Sequence, residues 1–537
     1  MRRIAGLCLF VAASLQGGPG YAQTPSVTRI SIDAAADRHA ISPYIYGVNF
    51  GTAQALEGLG SPVNRSGGDS ASMYNWKLDA RNAGRDWFFE SAACTGDILD
   101  QYGNGFVAIS RRGGALPMLT IPTIGWVATL RPDRSRLASF SIVKYGLQQH
   151  TDTAGFAEAG NGVALDGRLI AGNDPHDAAQ PDSPQQQALR LRSLIARWKP
   201  ASSGGVPFYL LDNEPGRWHD IHRDVHPEGV HARELAAKTL AYAAMVKSVD
   251  PSAKVVAPEE LAWTGLRDSG FDQQLAETGN RTQPSDRTSQ TGGMDLLPWL
   301  LTQWKKAGRP VDVVSVHFYP QAGEYRDGSD DVSPAMQLLR NRSTRALWDP
   351  AYHDAAGLIP RLREWVDRYY LPGTPIALTE YNWGAEASMN GATTEADLLG
   401  IFGREGLYLA TRWIAPRAGT PTYLAMKLFR NYDGRRDGFG ETSVRAVAPD
   451  ADALSAFAAL RARDHALTVI AINKQLSTAV PISVALSHFP RNGAVDAVLL
   501  ADGKLTVLPA SRYRDAALET VLPAQSVTLF ILHPDAI

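Results

Sequence analysis

One pattern constrains this chain more than any other. From about residue 45 to residue 430, short apolar runs bounded by Gly, Pro or Asp alternate with longer amphipathic segments. The runs are Ile45–Phe50, Val63–Arg65, Pro117–Ile121, Phe208–Asp212, Lys254–Ala257, Val313–His317, Ile376–Thr379 and Tyr423–Leu428. Several are apolar almost throughout, as strands buried on both faces must be. The segments between them have helical spacing. Ser183–Pro184–Gln185–Gln186 offers a cap, a first-turn proline and a capping-box glutamine. Leu191, Leu194, Ile195 and Trp198 then repeat at i, i+3, i+4 and i+7. Further helices are predicted over Ala232–Val249, Met294–Lys306, Leu358–Tyr370 and Thr394–Trp413. Eight strands alternating with helices predict an α/β fold, a TIM-type (β/α)8 barrel. The alternative is a doubly wound open sheet. No GxGxxG follows an early strand, which weakens its dinucleotide-binding form.

The texture changes near residue 441. Short β-type runs recur at Ser443–Val447, Leu467–Ile472, Val480–Leu486, Val495–Leu500, Leu505–Leu508 and Val527–Leu532. These predict a second, smaller all-β sandwich domain. Val27–Asp33 alternates in the same way and is expected to join it. The expected division is a signal peptide over 1–22, a catalytic barrel over 45–440, and a sandwich built from 23–44 and 441–537. The loop Gly160–Pro184 is long for a connection, and such loops on a barrel often shape a site.

The amino terminus starts with Arg2 and Arg3, continues with the apolar stretch Ile4–Leu15, and offers Gly20–Tyr21–Ala22 for cleavage. This is the pattern of a secretory signal. The apolar stretch is shorter than the about 20 residues that cross a bilayer. An exported protein, extracellular or periplasmic, is expected. The formal charge is −2, from 53 basic and 55 acidic residues, with no basic block. That argues against a nucleic-acid partner. No later segment predicts a membrane partner, and a monomer is expected. Two cysteines exclude a disulfide scaffold and a Cys-rich zinc site.

Active sites of such barrels lie at the C-terminal strand ends. The fourth run ends in Asn213–Glu214–Pro215 and the seventh in Thr379–Glu380–Tyr381–Asn382. Strands four and seven stand on opposite sides of the barrel, so their end residues can face each other across its mouth. Two carboxylates in one cleft suit glycoside hydrolysis, one as general acid and the other as nucleophile or base. There is no GxSxG, no P-loop and no HExxH. His219, His222 and His226 lack zinc-protease spacing.

Several longer motifs resemble those of one family. They are Tyr46–Gly–Val–Asn–Phe50, Arg65–Ser–Gly–Gly68 with Tyr74–Asn–Trp76, Asn82–Ala–Gly–Arg–Asp–Trp87, and Leu211–Asp–Asn–Glu–Pro215 followed by Trp218 and His222. Asp312–Val–Val–Ser–Val–His–Phe–Tyr–Pro320, Leu347–Trp–Asp–Pro350, Gly400–Ile–Phe–Gly403 and Asn431–Tyr–Asp–Gly434 extend the match. The chain resembles glycoside hydrolase family 44, secreted endo-β-1,4-glucanases (cellulases) that often act on xyloglucan. The resemblance covers most of the chain and implies a TIM-like barrel with a β-sandwich. It implies that Glu214 is the general acid/base and Glu380 the nucleophile of a retaining reaction. Retention in turn implies carboxyl groups about 5–5.5 Å apart.

Other residues gain expected substrate or positioning roles. Asn213 is placed to meet the sugar 2-hydroxyl. Tyr319, near His317, is placed to donate to Glu380, and Arg65 to hold a carboxylate. Trp76, Trp126, Trp218 and Trp383 are expected cleft platforms for sugar rings, and Asn49 and Asn382 polar contacts. Lys427, at the end of the eighth run, is expected to reach a hydroxyl. The reaction requires no cofactor. Asn173, Asp174 and Asp177 could supply oxygen ligands to a structural calcium, although their spacing better fits a solvated loop. Two alternatives stay open: a mannanase or xylanase of the same barrel type, and a catalytically silent glycan-binding protein.

Overall fold

The computed structural model describes residues 27–96, 100–280, 282–325, 330–352 and 357–535. The expected signal peptide, 1–22, lies outside the described residues.

Eight parallel strands close into a barrel. They are β1 (Gly47–Asn49), β2 (Val63–Ser66), β3 (Leu116–Ile121), β4 (Phe208–Leu211), β5 (Lys254–Leu261), β6 (Val313–Phe318), β7 (Ile376–Tyr381) and β8 (Leu409–Arg412). Each is followed by a helix: α1 (Ala53–Leu59), α2 (Gly103–Arg112), α3 (Pro184–Trp198), α4 (Ala232–Val249), α5 (Leu296–Lys306), α6 (Leu358–Tyr369), α7 (Met389–Arg404) and α8 (Pro421–Arg430). This is the (β/α)8 architecture that the alternation predicts.

Side chains on a strand alternate between its two faces. Val63, Met118, Phe208, Leu210, Val256, Val313, Ala377 and Leu409 fill the lower barrel, and Tyr44 packs its edge on Phe208 and Tyr408 below them. Two residues further up the same strands the chemistry changes. Val63 is followed by Arg65, and Val313 by Ser315 and then His317. The apolar floor is therefore a rigid base for a polar layer at the mouth.

One expected element is corrected. Tyr423–Leu428 is not a strand; it lies inside α8. Thr420 caps that helix through the Tyr423 N–H, and Pro421 occupies its first turn. An apolar run of six residues fits either structure, and the cap decides it. The eighth strand is instead Leu409–Arg412, which the helix expected over Thr394–Trp413 had absorbed; α7 ends at Arg404.

Three small sheets lie in the connections after β2 and β3, and the other strands form one eleven-stranded sheet in which Thr28–Asp33 pairs with both Thr442–Val447 and Val480–Ser487. Its inner face buries Ile30, Ile32, Val469, Val484 and Phe530 as a separate core. Helix α7 is buried on nearly every side because it stands between the barrel and the strands Leu454–Leu460, Leu467–Asn473 and Ser526–Pro534. Lys474 reaches across this junction to Asp397, 2.6 Å away and fully buried with it.

Candidate active site

The site is built from the ends of β2, β4, β5, β6 and β7. Among the non-glycine residues with positive φ there are Asp212 (67°), Glu214 (44°) and Glu259 (60°). Such backbone costs on the order of 1–3 kcal/mol per residue and persists only where surrounding contacts fix it. Asp212 supplies many of those contacts. Its carboxylate accepts from Ser72 Oγ (2.6 Å), Trp218 Nε1 (3.1 Å), Thr123 Oγ1 (3.1 Å) and the Ile124 N–H (3.0 Å). The Glu214 N–H donates to the Glu259 carbonyl at 3.0 Å. Beyond Glu214, Pro215 begins a short 3-10 turn.

Irregularities in the ladder aim the other side chains. The β5–β6 register shifts between Pro258 and Glu260, and the β6–β7 register between Val316 and His317. Bulges of this kind re-aim side chains beside active sites. Here they turn Glu259 inward, and Glu380 next to it across the mouth.

Arg65 is the fully buried hub. It donates to Glu380 Oε1 (2.6 Å), Glu259 Oε2 (3.0 Å), Asn49 Oδ1 (2.9 Å) and Asn213 Oδ1 (3.2 Å). Gly67 must be glycine here, since a Cβ would come within 2.2 Å of the Arg65 guanidinium. Glu380 also accepts from the Tyr319 hydroxyl at 2.8 Å. Burial, reinforced by the charges of Glu380 and Glu214, pushes the Tyr319 phenol well above its ordinary range, so it stays a donor.

His317 Nδ1 lies 2.8 Å from Glu214 Oε1 and 3.6 Å from Glu380 Oε2, and Nε2 lies 3.2 Å from Glu259 Oε2. Burial works against its charge. The Glu380 charge and the hydrogen bonds to Glu214 and Glu259 outweigh it and push the imidazole up to about 10. His317 is therefore a cation with both ring nitrogens donating. The 3.2 Å approach of Arg65 Nη2 to His317 Nε2 is then a contact between two donors that share Glu259, not a hydrogen bond. Glu259 is buried too, which raises its carboxyl, but Arg65 and His317 more than offset this and hold it below the usual range.

One carboxylate oxygen of Glu214, one of Glu380 and a ring nitrogen of His317 lie within 4.8 Å of one another. Three such groups could in principle bind a metal. Here a cation would meet the Arg65 guanidinium on Glu380 and the proton on His317, so the charge of the site opposes it.

The expected site residues divide clearly. Arg65, Asn213, Glu214, His317, Tyr319 and Glu380 converge at the mouth. Asn213 spans Arg65, the Gly68 N–H and Asp69. Trp218 and Trp383 are corrections: they are 1% and 2% exposed. Trp218 braces Asp212, and Trp383 Nε1 donates to Ser343 Oγ at 3.0 Å, so neither offers a face to a sugar. Asn49 is also corrected. It is fully buried, donates to the carbonyls of Thr379, Thr411 and Arg412, and orients Arg65. Lys427 sits on α8, outside the barrel strands and away from the mouth. Trp76 and Trp126 are half-buried on the connections after β2 and β3, Trp76 beneath Lys77 and Trp126 against His176. Asn382 lines a cavity of about 330 Å³ beside β7 and β8, together with Tyr325, Arg412 and Trp413. In the expected calcium loop the polar groups have protein partners: Asp177 holds Lys144 and the Tyr145 hydroxyl, Asp174 holds His176, and Asn173 donates to the Asp224 carbonyl.

Sequence reasoning missed Glu259, Glu260, Asp212, Asp69 and Trp413. The signal for the first pair was present, two carboxylates following the strand Lys254–Ala257. Pro258 read as its end, whereas the strand continues to Leu261. Trp413 was hidden inside the misread helix. Asp69, whose side chain bonds Asn213, is pushed well up by burial and by the charges of Glu214 and Asp86.

Comparison with known proteins agrees with this geometry. Residues 80–322 match the model of glycoside hydrolase family 44. The chain is 47% identical to CelM2, a bifunctional glucanase-xylanase protein from a metagenome library, whose crystal structure superposes with a TM-score of 0.92 over 96% of this chain and 100% of that one. A Paenibacillus polymyxa xyloglucanase is 25% identical, with a TM-score of 0.75 over 94% and 99%. Endoglucanase A of Paenibacillus lautus is 31% identical over 489 residues, 85% of this chain. The chain spans 65% of that enzyme's length and 36% of the length of a second curated relative. By its sequence, its barrel and its sandwich, the chain belongs to glycoside hydrolase family 44.

Proposed function

We propose that the chain is an exported retaining endo-β-1,4-glucanase acting on β-1,4-glucan backbones, including xyloglucan. The observation that carries this reading is the approach of Glu214 and Glu380 within 4.8 Å, each held by different partners. Arg65 and Tyr319 donate to Glu380, which aims its carboxylate into the cleft. His317 binds one oxygen of Glu214, and among the described residues no donor is found on the other, which is the oxygen free to deliver a proton. The spacing suits direct attack and is shorter than the about 6.5–9.5 Å that an inverting water requires.

In the first step a Glu380 oxygen bonds to the anomeric carbon, the glycosidic C–O bond breaks, and Glu214 gives its proton to the departing oxygen. In the second, Glu214 takes a proton from water, the water oxygen bonds to the same carbon, and the bond to Glu380 breaks. Arg65, Glu259 and His317 form a fixed, desolvated frame around the developing charge, where preorganised donors act most strongly. Export is supported by the pattern over residues 1–22; no described helix is long and apolar enough to cross a membrane. Recovery of the protein from medium or periplasm, beginning at Gln23, tests it.

Hydrolysis of a panel of xyloglucan, hydroxyethylcellulose, lichenan, mannan and xylan, with Glu380→Gln and Glu214→Gln in parallel, tests the activity. Cleavage of glucan backbones by the parent and loss of at least about 10³-fold in both variants is expected, the scale of the lost nucleophile or acid. A parent that cleaves nothing in the panel would favour the silent glycan-binding reading. Xylan is the favoured second substrate, because CelM2 is described as a glucanase-xylanase.

A further inference from the structure

The motifs Leu347–Trp–Asp–Pro350 and Gly400–Ile–Phe–Gly403 take no part in the mouth of the barrel. They come together where the sheet packs on the last turns of α7, at the far end of that helix. Helix α7 starts after β7 and ends at Arg404, before β8 begins. Its 16 residues run down the barrel for about 24 Å, at about 1.5 Å each. The sheet forks here. The strand Thr442–Val447 pairs with Leu454–Leu460 only through Thr442, Ser443 and Val444, while Arg445, Ala446 and Val447 pair with Thr28–Asp33. Between the parted arms opens a cavity of about 220 Å³, lined by Ala446, Val447, Ser455, Phe457, Trp348 and Arg404. Arg404, Ala446 and Val447 also wall an adjoining cavity of about 670 Å³ that reaches Asp37 and Glu405. The larger one is within the about 300–1,000 Å³ of small-ligand sites.

Alternation along the strands sets which side chains face α7. Phe457 packs on Gly400, so Ser455 shares its face, and Ser443 stands opposite Ala459 on that face too. Ser443 and Ser455 are 5% and 7% exposed and line the groove. Among the described residues neither hydroxyl has a hydrogen-bond partner. A buried hydroxyl left unbonded is costly, and a ligand hydroxyl would satisfy it. Beside them the Arg404 guanidinium lies over the Trp348 ring at 4.4 Å, and Val447 is 53% exposed. Rings and apolar side chains of this kind accept the C–H faces of sugars. The charges are paired: Arg404 with Glu405 (2.8 Å), Arg445 with Asp37 (2.8 Å) and Asp397 with Lys474 (2.6 Å). Of the lining Arg, Asp and Glu residues only Arg38, at the surface, stands outside such pairs. Paired groups exert little net field, which suits a neutral polyhydroxylated ligand better than an ion. A peptide strand would need an open strand edge, whereas Leu454, Ala456 and Phe457 are all buried.

We propose that the groove between α7 and the forked sheet is a carbohydrate site outside the cleft, which holds a β-glycan chain while the mouth of the barrel cuts it. The identity of the ligand rests on the glycanase reading above. The β-sandwich thereby contributes to polymer retention, and its fork supplies the hydroxyls that α7 lacks. Two substitutions probe the groove without touching the groups around Glu214 and Glu380. Ser455→Leu fills its narrow part, and Val447→Glu puts a charge on its exposed apolar wall.

Affinity electrophoresis of Glu380→Gln through gels containing xyloglucan or hydroxyethylcellulose is the test. Adding either groove substitution should weaken retention by about fivefold or more, the scale of one lost hydrogen bond. In the enzyme with Glu380 intact, both substitutions should leave kcat and KM on a short aryl cellobioside at the parent values. Unchanged retention in both folded variants would overturn the proposal. If neither variant folds, crystals of Glu380→Gln soaked with cellohexaose decide. Sugar in the groove supports the proposal, and a groove empty of sugar overturns it. A chain segment seated between the two arms would overturn it in favour of a protein occupant. A parent that cleaves glucan while the groove variants are retained as before would sink this site and leave the glycanase reading. A parent that cleaves no glycan, yet is retained through the groove, would sink that reading and leave the site.

Discussion

Glu259 makes no contact with the cleft, yet Arg65 and His317 both depend on it. Glu259→Gln keeps the shape and removes the anion, leaving two buried cations short of a partner. Breaking a buried pair in this way costs about 3–5 kcal/mol. Urea unfolding near pH 7 should show that loss, and the His317 ring should titrate below its parent value when followed by NMR. An unchanged midpoint and titration would mean that Glu259 is a bystander. The next residue gives a second prediction. Glu260 points the other way and accepts the Gly216 N–H behind the turn that follows Glu214. Burial, aided by the Glu214 charge, pushes it up to about 8. A carboxyl raised on folding binds its proton more tightly in the native state. Its contribution is thus full below the ordinary carboxylate range and is lost as pH rises through about 8. His317, raised to about 10, acts in the same direction, with loss beginning near its ordinary 6.5 and complete above about 10. Stability should fall from pH 5 to pH 10. Glu260→Gln should flatten the lower part of that fall and leave the upper part. A variant with the parent's full slope below pH 8 would contradict the assignment.

At the scale of elements, α7 joins the two parts of the molecule. Gly400 on this helix faces Phe457, and a Cβ there would lie 2.2 Å from the ring. Gly400→Ala should therefore destabilise by about 1–3 kcal/mol, the cost of overpacking, in spite of alanine's better helix propensity. Thermal unfolding checks it, and a variant as stable as the parent or more so would show that the junction yields. The elements also show what could be read from sequence. Seven of the strands, and the carboxylates at the ends of β4 and β7, were legible because most strands buried on both faces are near-continuous apolar runs and the alternation with helices placed the short β1 and β2 among them. The eighth was not. Leu409–Arg412 follows directly on the amphipathic segment that forms α7 and reads as its continuation, while Tyr423–Leu428 is apolar but capped as a helix. The site was legible where a side chain ends a strand, as with Glu214, Tyr319 and Glu380. It was illegible where orientation depends on a bulge, as with Glu259, or on burial, as with Trp218, Trp383 and Asn49. No pattern in the chain distinguishes a tryptophan that stacks on a sugar from one that braces an aspartate.

At the scale of the whole molecule, the apolar floor of the barrel carries a polar mouth. In that mouth two cations, Arg65 and His317, hold Glu259, Glu380 and Glu214 in one cluster. The central claim is that this cluster breaks glycosidic bonds by double displacement at Glu380. Proton NMR of the first minutes of cello-oligosaccharide hydrolysis tests it most directly, since the anomer formed is visible before mutarotation. Two inversions at one carbon predict that the β-anomer of the new reducing end appears first and decays toward equilibrium. Initial release of the α-anomer would mean a single inversion through water and would contradict the account.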